Sequence, residues 1–537
     1  MAVPSEKTAN AIVAVLDIGA SAIRMTIAEI AAGGEIHVLE TPAKPVSIGR
    51  DVFTTGRISR TTRREVIDVL AGFKRLMEGY QVSHSRVVAT SALREAGDRD
   101  TFLDWVFVRT GIDIEVIEGF EENQLTFAAV QDVLGERLSV EPGSLIMEVG
   151  GGSTELMLLH AGEIVLSQTL PLGAVRMQQR PDILEVSPSA RRRLIRREVG
   201  GAIENIVRQF DLSQVGFFVS LGADLRFVAA QLHSPTPQAP AESGPGQPGQ
   251  ANAMAGRVAA VPTGVFRKFA DEVGGLSVDE LVDRFNIPFA DAETLSPALM
   301  IYATFLAATA ATELTVPMVS LRDGLLLELA GQMSGRRDGG FPRQVVAAAR
   351  ALGVKYNYDE KHANHVTKLA LQLFDELHEE HQLGSRERLM LEVAGILHDI
   401  GVFIGNTAHH KHGRYIICES DLFGLRKAEK EIIADVVRYH RKATPRPTHL
   451  EYMSLPRADR VVVSKLAALL RVADALDRAH LQRIKDVRFD RRRDNFVLVV
   501  PTAEDLSVER SGLRSKGDLF EDVFGFTVVL EEAPATG

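Results

Sequence analysis

Residues 145–159 read Leu145-Ile-Met-Glu-Val-Gly-Gly-Gly-Ser-Thr-Glu-Leu-Met-Leu-Leu159 and join two apolar runs through three consecutive glycines. The apolar runs predict buried strands, while the glycines permit positive φ and the close approach of a ligand. Backbone N–H groups in such a turn can bind an anion. Glu148 and Glu155 supply carboxylates suited to a divalent cation or an attacking water. A tight hairpin without a ligand explains the glycines equally well. Motifs elsewhere in the chain are needed to distinguish it from an anion-binding turn.

The length and composition indicate a globular protein. A chain of 537 residues predicts three or four domains. Its 45% hydrophobic and 25% charged residues are ordinary, and no apolar run approaches the ~20 residues of a membrane span. The N-terminus lacks a signal-peptide pattern, and the single cysteine, Cys418, excludes a disulfide framework. We therefore expect a cytoplasmic protein with no membrane partner.

The formal net charge of −10 means that local basic residues must bind any polyanionic ligand. We expect no nucleic-acid partner. The strongest basic run is Arg191-Arg-Arg-Leu-Ile-Arg-Arg197. A solvated helix face is the simpler interpretation of this run, and a track for a substrate is the alternative.

Alternating strand and helix patterns over the first 330 residues predict an α/β architecture. A hairpin predicted at 13–27 resembles the one at 145–159, since each has an acidic residue at the end of its first strand. This weak repeat favours two halves facing each other across a cleft. The predicted regions are residues 1–135 and 136–330 for the two halves, 233–264 for a disordered insertion, 341–484 for a helical domain and 485–537 for a small β-containing region, with the main boundary inside 331–340.

Three polar elements can converge in the N-terminal half. Asp17 follows a strand, Arg94 follows another, and Glu121 and Glu122 begin a helix. A guanidinium can bind phosphate bidentately, and a glutamate can deprotonate water. The alternative is that both glutamates only stabilise the positive end of the helix dipole.

Four motifs in this region share an order and spacing with a known family. They are Asp17-Ile-Gly-Ala-Ser-Ala22, Thr90-Ser-Ala-Leu-Arg94, Glu118-Gly-Phe-Glu-Glu-Asn-Gln-Leu125 and Glu148-Val-Gly-Gly-Gly-Ser-Thr-Glu155. The chain resembles the exopolyphosphatase/guanosine pentaphosphate phosphatase (Ppx/GppA) family over about residues 13–329. The resemblance implies an actin-like, ribonuclease H-like phosphatase fold of two subdomains.

The resemblance also implies roles for individual residues. Glu121 would be the catalytic base for water attack on a terminal phosphate, assisted by Glu155. Asp17 and Glu148 would hold Mg²⁺. The residues implied to bind phosphoryl oxygens are Ser21, Arg94, Gly150, Gly151, Gly152 and Ser153.

Three departures from the family pattern bear on activity. Ala20-Ser21 stands where the family usually has Ser-Asn, and Ala223-Asp224 where a Gly-Thr-like pair is common. Glu148 replaces an aspartate. Because glutamate is one methylene longer, it displaces a metal by about one ångström unless the backbone compensates.

A second polar set lies in the helical region. His362 and His365 share a helix face, and His398-Asp399 follows an apolar helix. Imidazole and carboxylate ligands from successive helices can bind Mn²⁺, Fe or Mg²⁺. The remaining members of this set are His409, His410, His412, His440 and Asp474.

This set resembles the HD phosphohydrolase superfamily and implies an all-α HD-like domain, followed by a small α+β tail. By that resemblance the metal ligands are His362, His398, Asp399, Asp474, His412 and His440, the last two as extra ligands of dinuclear members. The alternative is a site without metal, because Ppx/GppA proteins commonly carry an HD-like domain that has lost its metal residues.

The function implied is Mg²⁺-dependent release of terminal orthophosphate from inorganic polyphosphate by a homodimer. Removal of the 5′ γ-phosphate from guanosine pentaphosphate (pppGpp) is the nearest alternative, because the same residues serve both reactions. In a third interpretation the N-terminal half senses polyphosphate or a nucleotide and regulates an HD-type phosphodiesterase that uses Mn²⁺ or Fe. A non-enzymatic binding scaffold is the fourth.

Overall fold

The computed structural model describes residues 10–180, 182, 187–232, 257–334, 341–485, 487–501 and 505–533. The chain divides into two units, Met1–Asp338 and Gly339–Gly537, which meet inside the range where the sequence places its main boundary. Most of the insertion predicted at 233–264 lies outside the described residues. Its last part is not disordered, because Val258–Pro262 form a strand.

The first unit contains two sheets. Its strands are β1 (Ala11–Ile18), β2 (Ala22–Ile30), β3 (Ile36–Glu40), β4 (Ala43–Pro45), β5 (His84–Ala89), β6 (Glu115–Val116), β7 (Gly143–Val149), β8 (Thr154–His160), β9 (Glu163–Leu170), β10 (Phe217–Leu221), β11 (Val258–Pro262) and β12 (Glu313–Pro317). Its helices are α1 (Ile48–Thr55), α2 (Arg60–Gly79), α3 (Ser91–Glu95), α4 (Arg99–Thr110), α5 (Gly119–Val140), α6 (Ala174–Gln178), α7 (Pro188–Val207), α8 (Ala223–Leu232), α9 (Thr263–Val273), α10 (Val278–Phe285), α11 (Phe289–Ala307) and α12 (Leu321–Met333), with a 3₁₀ turn at Leu212–Gln214.

The two sheets repeat one topology. The first has the order β3-β2-β1-β5-β6, with β4 beside β2, and the second β11-β12-β10-β7-β8-β9. In each, an antiparallel hairpin (β1–β2 or β7–β8) pairs in parallel with a later strand, β5 or β10. The internal repeat and the two-half, actin-like α/β arrangement predicted for this region are therefore confirmed.

Burial explains why these strands form. Val13, Val15, Leu145 and Met147 are fully buried, as expected for central strands covered on both faces. Tyr302 on α11 holds together the C-terminal ends of two strands of the second sheet, β7 and β10. Its hydroxyl accepts a hydrogen bond from Val149 N over 2.7 Å and donates one to Leu221 O over 2.5 Å. The ends of β7 and β10 are thus held together beside the glycine turn.

The second unit combines helices with a small sheet. Its helices are α13 (Pro342–Lys355), α14 (Glu360–Glu376), α15 (His378–His381), α16 (Ser385–Leu397), α17 (His409–Cys418), α18 (Lys427–Arg438), α19 (Leu450–Ser454), α20 (Arg457–Leu476), α21 (Ser507–Lys516) and α22 (Asp518–Phe524), with a 3₁₀ turn at Ile400–Phe403. Its strands are β13 (Arg488–Arg492), β14 (Asn495–Val500) and β15 (Thr527–Glu532), in that order in the sheet.

The small C-terminal region shares one apolar core with the helices that precede it. Phe496 and Phe520 are buried in that core. Fully buried Arg471 on α20 donates to the main-chain oxygens of Lys516 and Arg441, each over 2.9 Å. The residues beyond 484 therefore complete the helical unit. Among the described helices, none is long and apolar enough to cross a membrane.

Candidate active site and metal centre

A cavity of about 140 Å³ lies in the first unit where turns from its two halves meet. The predicted site residues that line it are Asp17, Ser21, Glu148, Gly150, Gly151, Ser153 and Glu155. Arg94, Glu121 and Gly152 are not among its lining residues. Seven of the ten residues predicted for this site therefore line the cavity, and the other three do not.

The turn at residues 150–152 needs glycines because neighbouring residues lie too close to its backbone for a side chain. None of Gly150, Gly151 and Gly152 is among the glycines with positive φ, so the expected left-handed backbone is not what they provide. A Cβ added to Gly151 would lie 2.7 Å from Ala20 Cβ, and one on Gly152 would lie 2.5 Å from Phe53 Cζ. Such distances exclude a side chain, and the turn can therefore pack directly against the first half. This contact also explains why Gly152 faces protein and not the cavity.

Glu121 does not supply the carboxylate that lines the cavity. Its Oε2 accepts a hydrogen bond from the main-chain N of Glu118, over 2.9 Å, at the start of α5. This is the capping interaction that stabilises a helix N-terminus. The next residue, Glu122, is buried and lines the cavity. Of these two adjacent glutamates, Glu122 therefore lines the cavity, whereas Glu121 caps the start of its helix.

Arg94 holds Glu122. Its Nη1 donates to Glu122 Oε1 over 2.7 Å and to Ile117 O over 2.6 Å. Burial raises the pKa of Glu122 to about 7, although Arg94 opposes the rise, and the charges of Asp17 and Glu148 add to it. A pKa near neutrality suits a general base. Arg94, predicted to bind phosphate, is paired with this carboxylate in the structure.

The other carboxylates of the cavity are also perturbed. Glu155 Oε1 accepts a hydrogen bond from Ser153 Oγ over 2.6 Å, while burial and the charge of Glu122 raise the pKa of Glu155 well above its ordinary value. Burial likewise raises the pKa of Glu148, and that of Asp224 to about 6. Charge repulsion among these groups favours a bound cation or a shared proton.

Three arginines on the cavity wall balance the acids, and sequence reasoning did not find them. Arg24, Arg226 and Arg322 all line the cavity. Arg24 lies opposite Asp17 across the β1–β2 hairpin, and Arg322 Nη1 is 3.6 Å from Asp17 Oδ2. Of the three, only Arg24 could have been found from the sequence, because the predicted hairpin pairs it with Asp17, which was already assigned to the site.

A second cluster of ionisable side chains lies in the second unit. It contains five of the six predicted residues: His362, His398, Asp399, His440 and Asp474. Asp399 Oδ2 lies 4.0 Å from His362 Nε2 and 3.7 Å from His398 Nε2. Its Oδ1 lies 3.3 Å from His409 Nε2 and 3.5 Å from His440 Nε2. One carboxylate thus faces two pairs of imidazoles.

Hydrogen bonds orient these imidazoles. The Nδ1 atoms of His398, His409 and His440 donate to the main-chain oxygens of Gly395, Asn406 and Val437. A carbonyl oxygen only accepts, so each neutral ring keeps its lone pair on Nε2. His362 Nδ1 contacts Asp477 Oδ2 at 2.8 Å and so has the same orientation.

The Nε2 atoms of these imidazoles face one another in pairs. The two Nε2 atoms are 3.2 Å apart in the His362–His398 pair and 3.3 Å apart in the His409–His440 pair. Burial lowers the pKa of His440 to about 3, which keeps that ring neutral. Neutral imidazole nitrogens and carboxylates are the ligands of Mn²⁺, Fe and Zn²⁺ in proteins, and the residues present therefore fit a divalent cation.

His412, predicted as a ligand, does not belong to this cluster. The residue that faces Asp399 is His409, the first residue of α17, which sequence reasoning noted without assigning. His480, not predicted at all, stacks on His362 with ring centroids 3.6 Å apart, and forms a further candidate ligand group with His362 and Asp399.

Comparisons with known proteins agree with both units. The model of the Ppx/GppA phosphatase family matches residues 26–231, and that of Ppx/GppA phosphatase domain III matches residues 346–508, which together exceed half of the chain. Exopolyphosphatase 2 of Mycobacterium tuberculosis is 29% identical over 45% of this chain and 86% of its own. Guanosine-5'-triphosphate,3'-diphosphate pyrophosphatase of Photobacterium profundum is 23% identical over 86% of this chain and 84% of its own. An exopolyphosphatase structure from Cytophaga hutchinsonii shares the fold, with a TM-score of 0.51 and 19% identity over 60% of this chain and 98% of that one.

Proposed function

The chain belongs to the Ppx/GppA phosphatase family, whose members hydrolyse phosphoanhydride bonds, and we propose that it releases terminal orthophosphate from inorganic polyphosphate. One observation carries this proposal. A buried glutamate with a pKa near 7, Glu122, lines a cavity together with three arginines and a glycine turn. These are the parts that water attack on a phosphoryl group requires.

In the proposed reaction Glu122 accepts a proton from water as the water oxygen attacks the terminal phosphorus. The bond from that phosphorus to the bridging oxygen breaks, and the shortened chain leaves with the negative charge. Arg94 orients Glu122 through the 2.7 Å hydrogen bond. Glu155, held by Ser153, is placed to share the proton.

The remaining wall of the cavity suits the phosphoryl group. Arg24, Arg226 and Arg322 bring positive charge to its equatorial oxygens, where negative charge is spread in the transition state. Ser21 and the Gly150–Gly151 backbone lie on the same wall and complete the proposed phosphate site.

Asp17 and Glu148 are the proposed ligands of Mg²⁺. Both line the cavity, and the pKa of Glu148, raised by burial, indicates that a cation nearby would be stabilising. Mg²⁺ is commonly bound by one or two carboxylates together with water and substrate phosphates, which fits this pair. Such a cation would neutralise phosphate charge.

Phosphate release from long-chain polyphosphate and from pppGpp, measured side by side with Mg²⁺ and with Mn²⁺, tests the proposal. We expect the higher kcat/KM with polyphosphate. Faster turnover of pppGpp would favour the alternative substrate, since the Photobacterium relative carries the name of that activity. No release from either substrate would contradict hydrolysis by this site.

We further propose that the second unit binds a divalent cation, Mn²⁺ or Fe, at the His362–Asp399 cluster. The facing Nε2 atoms, together with the Asp399 carboxylate between the two pairs, carry this proposal. His409 replaces His412 in the proposed ligand set, which otherwise keeps His362, His398, Asp399, His440 and Asp474. The relatives give no support to the alternative in which the first unit is only a sensor for a phosphodiesterase in the second.

A further inference from the structure

A row of cavities leads from the active-site cavity to helix α7. The cavity next to the active site shares Ser21 and Thr294 with it. A third cavity shares Gln178 and Glu293 with the second. A fourth shares Arg192 with the third. Cavities that share lining residues are neighbours, and we call this row of four cavities within the first unit the path.

Positive charge predominates along this path beyond the active site. Although the chain carries a formal charge of −10, five arginines and only two carboxylates line its three outer cavities. The arginines are Arg50, Arg191, Arg192, Arg196 and Arg267, and the carboxylates are Glu293 and Asp271. A local reversal of sign of this kind attracts an anionic ligand.

Among the residues that the structure describes, three of these arginines have no carboxylate partner. Arg50 pairs with Glu293 over 2.7 Å, and Arg196 with Asp271 over 3.2 Å. Among the described residues, Arg191, Arg192 and Arg267 form no ion pair. The Nε of Arg191 is also buried without a hydrogen-bond acceptor. A buried donor left unpaired is costly, and a ligand with oxygen acceptors would satisfy it.

Helix α7 presents its arginines on two sides. Arg192 and Arg196 are one helical turn apart and line the path. Arg193 and Arg197, which like Arg196 are exposed, line none of these cavities. The two interpretations of the arginine run, a solvated face and a substrate track, thus apply to different sides of one helix.

We propose that Arg191, Arg192, Arg196 and Arg267 form a subsite for the distal phosphates of a linear polyphosphate whose terminal phosphate lies in the active-site cavity. This inference rests on the proposed function and names the part of the substrate that the outer cavities bind. Guanidinium groups match phosphate oxygens in a planar fork. A polyphosphate offers such oxygens at every unit along its length, whereas a nucleotide ends in a base, and none of the residues lining the three outer cavities is aromatic.

A pair of double variants tests the subsite. Arg192→Ala/Arg196→Ala removes two charges on the path, and Arg193→Ala/Arg197→Ala removes two charges from the same helix one residue further on. Both are assayed with long-chain polyphosphate and with tripolyphosphate, whose three phosphates provide the short-chain comparison. We expect the first variant to raise KM for the long chain by about tenfold while leaving kcat and tripolyphosphate hydrolysis unchanged. The second variant should behave as the wild type.

The outcomes separate this inference from the proposed function. Equal effects of both double variants, or no effect of Arg192→Ala/Arg196→Ala on the long-chain KM, would overturn the subsite. Failure of the wild-type protein to hydrolyse either polyphosphate would contradict the proposed function instead. In that case, direct titration with long-chain polyphosphate still tests the subsite, because loss of binding only in Arg192→Ala/Arg196→Ala would support it and unchanged binding would overturn it.

Discussion

Arg94 Nη1 donates to Glu122 Oε1 over 2.7 Å, and this bond links the short helix α3 to the first turn of α5. It also determines which of two adjacent glutamates belongs to the cavity. Glu121 is bonded to the start of its own helix, whereas Glu122 is held in the cavity wall. The chemistry proposed for the first unit depends on this arrangement.

The pKa of Glu122 predicts how activity depends on pH. A general base acts only when ionised, and the pKa of Glu122 is raised to about 7. Below that pH we expect kcat/KM for polyphosphate to fall about tenfold per pH unit, and above it to reach a plateau. The pH profile of phosphate release checks this. A profile that stays flat down to pH 5 would exclude Glu122 as the base.

Removal of the Arg94 charge should shift that profile. An arginine next to a carboxylate lowers its pKa by about 1–3 units. In Arg94→Met the pKa of Glu122 should therefore rise, and the fall in kcat/KM should begin at a higher pH. Arg94→Lys, which keeps the charge, is the control and should shift the profile less. Identical profiles for the three proteins would show that Arg94 does not govern ionisation of Glu122.

The glycine turn should not tolerate a methyl group. Because a Cβ on Gly151 would lie 2.7 Å from Ala20 Cβ, we expect Gly151→Ala to cost about 1–3 kcal/mol of unfolding free energy and to lower kcat. Gly200→Ala is a matched control, since Gly200 lies inside α7 with nothing within 4 Å of an added Cβ. It should stabilise the chain by about 0.5–1 kcal/mol. Urea unfolding of both variants would measure the difference, and equal stabilities would contradict the close approach.

The metal proposal for the second unit distinguishes two histidines of one helix. Mn²⁺ at a hundredfold excess over its Kd should raise the Tm of the unit's unfolding transition by about 5 °C or more. His409→Ala should weaken Mn²⁺ binding at least tenfold, because it removes a ligand that faces Asp399. His412→Ala should leave binding unchanged. Titration of the full-length wild type and both variants with Mn²⁺ measures these affinities. An equal loss of Mn²⁺ affinity in the two variants would contradict the proposed ligand set.

The sequence predicts local features of this protein better than it predicts the partners of each side chain. Strand pattern and glycines place both hairpins, because those signals lie within a few residues of each other. The sequence assigned Glu121 to the site, whereas Glu122 lines the cavity, and adjacent helical residues point about 100° apart. Which of them faces the cavity depends on where α5 begins. His412 was assigned and His409 was not, although it is His409, at the start of α17, that faces Asp399.

Residues that only the tertiary structure brings to a site could not be identified from the sequence around them. Arg226 and Arg322 reach the cavity wall from α8 and α12, which lie far apart in sequence. His480 likewise comes from the chain beyond α20 to stack on His362. Motif resemblance transfers residue types at matched positions, and these residues lie outside the motifs.

The central claim is that Glu122 is the catalytic base, and a comparison of two isosteric variants tests it most directly. Phosphate release from polyphosphate is measured for Glu122→Gln and Glu121→Gln with Mg²⁺ present. We predict that Glu122→Gln lowers kcat by about 10²–10⁴-fold. Glu121→Gln should remain within about threefold of the wild type, because glutamine preserves the bond to the helix start. Loss of activity in Glu121→Gln with normal turnover by Glu122→Gln would contradict the account.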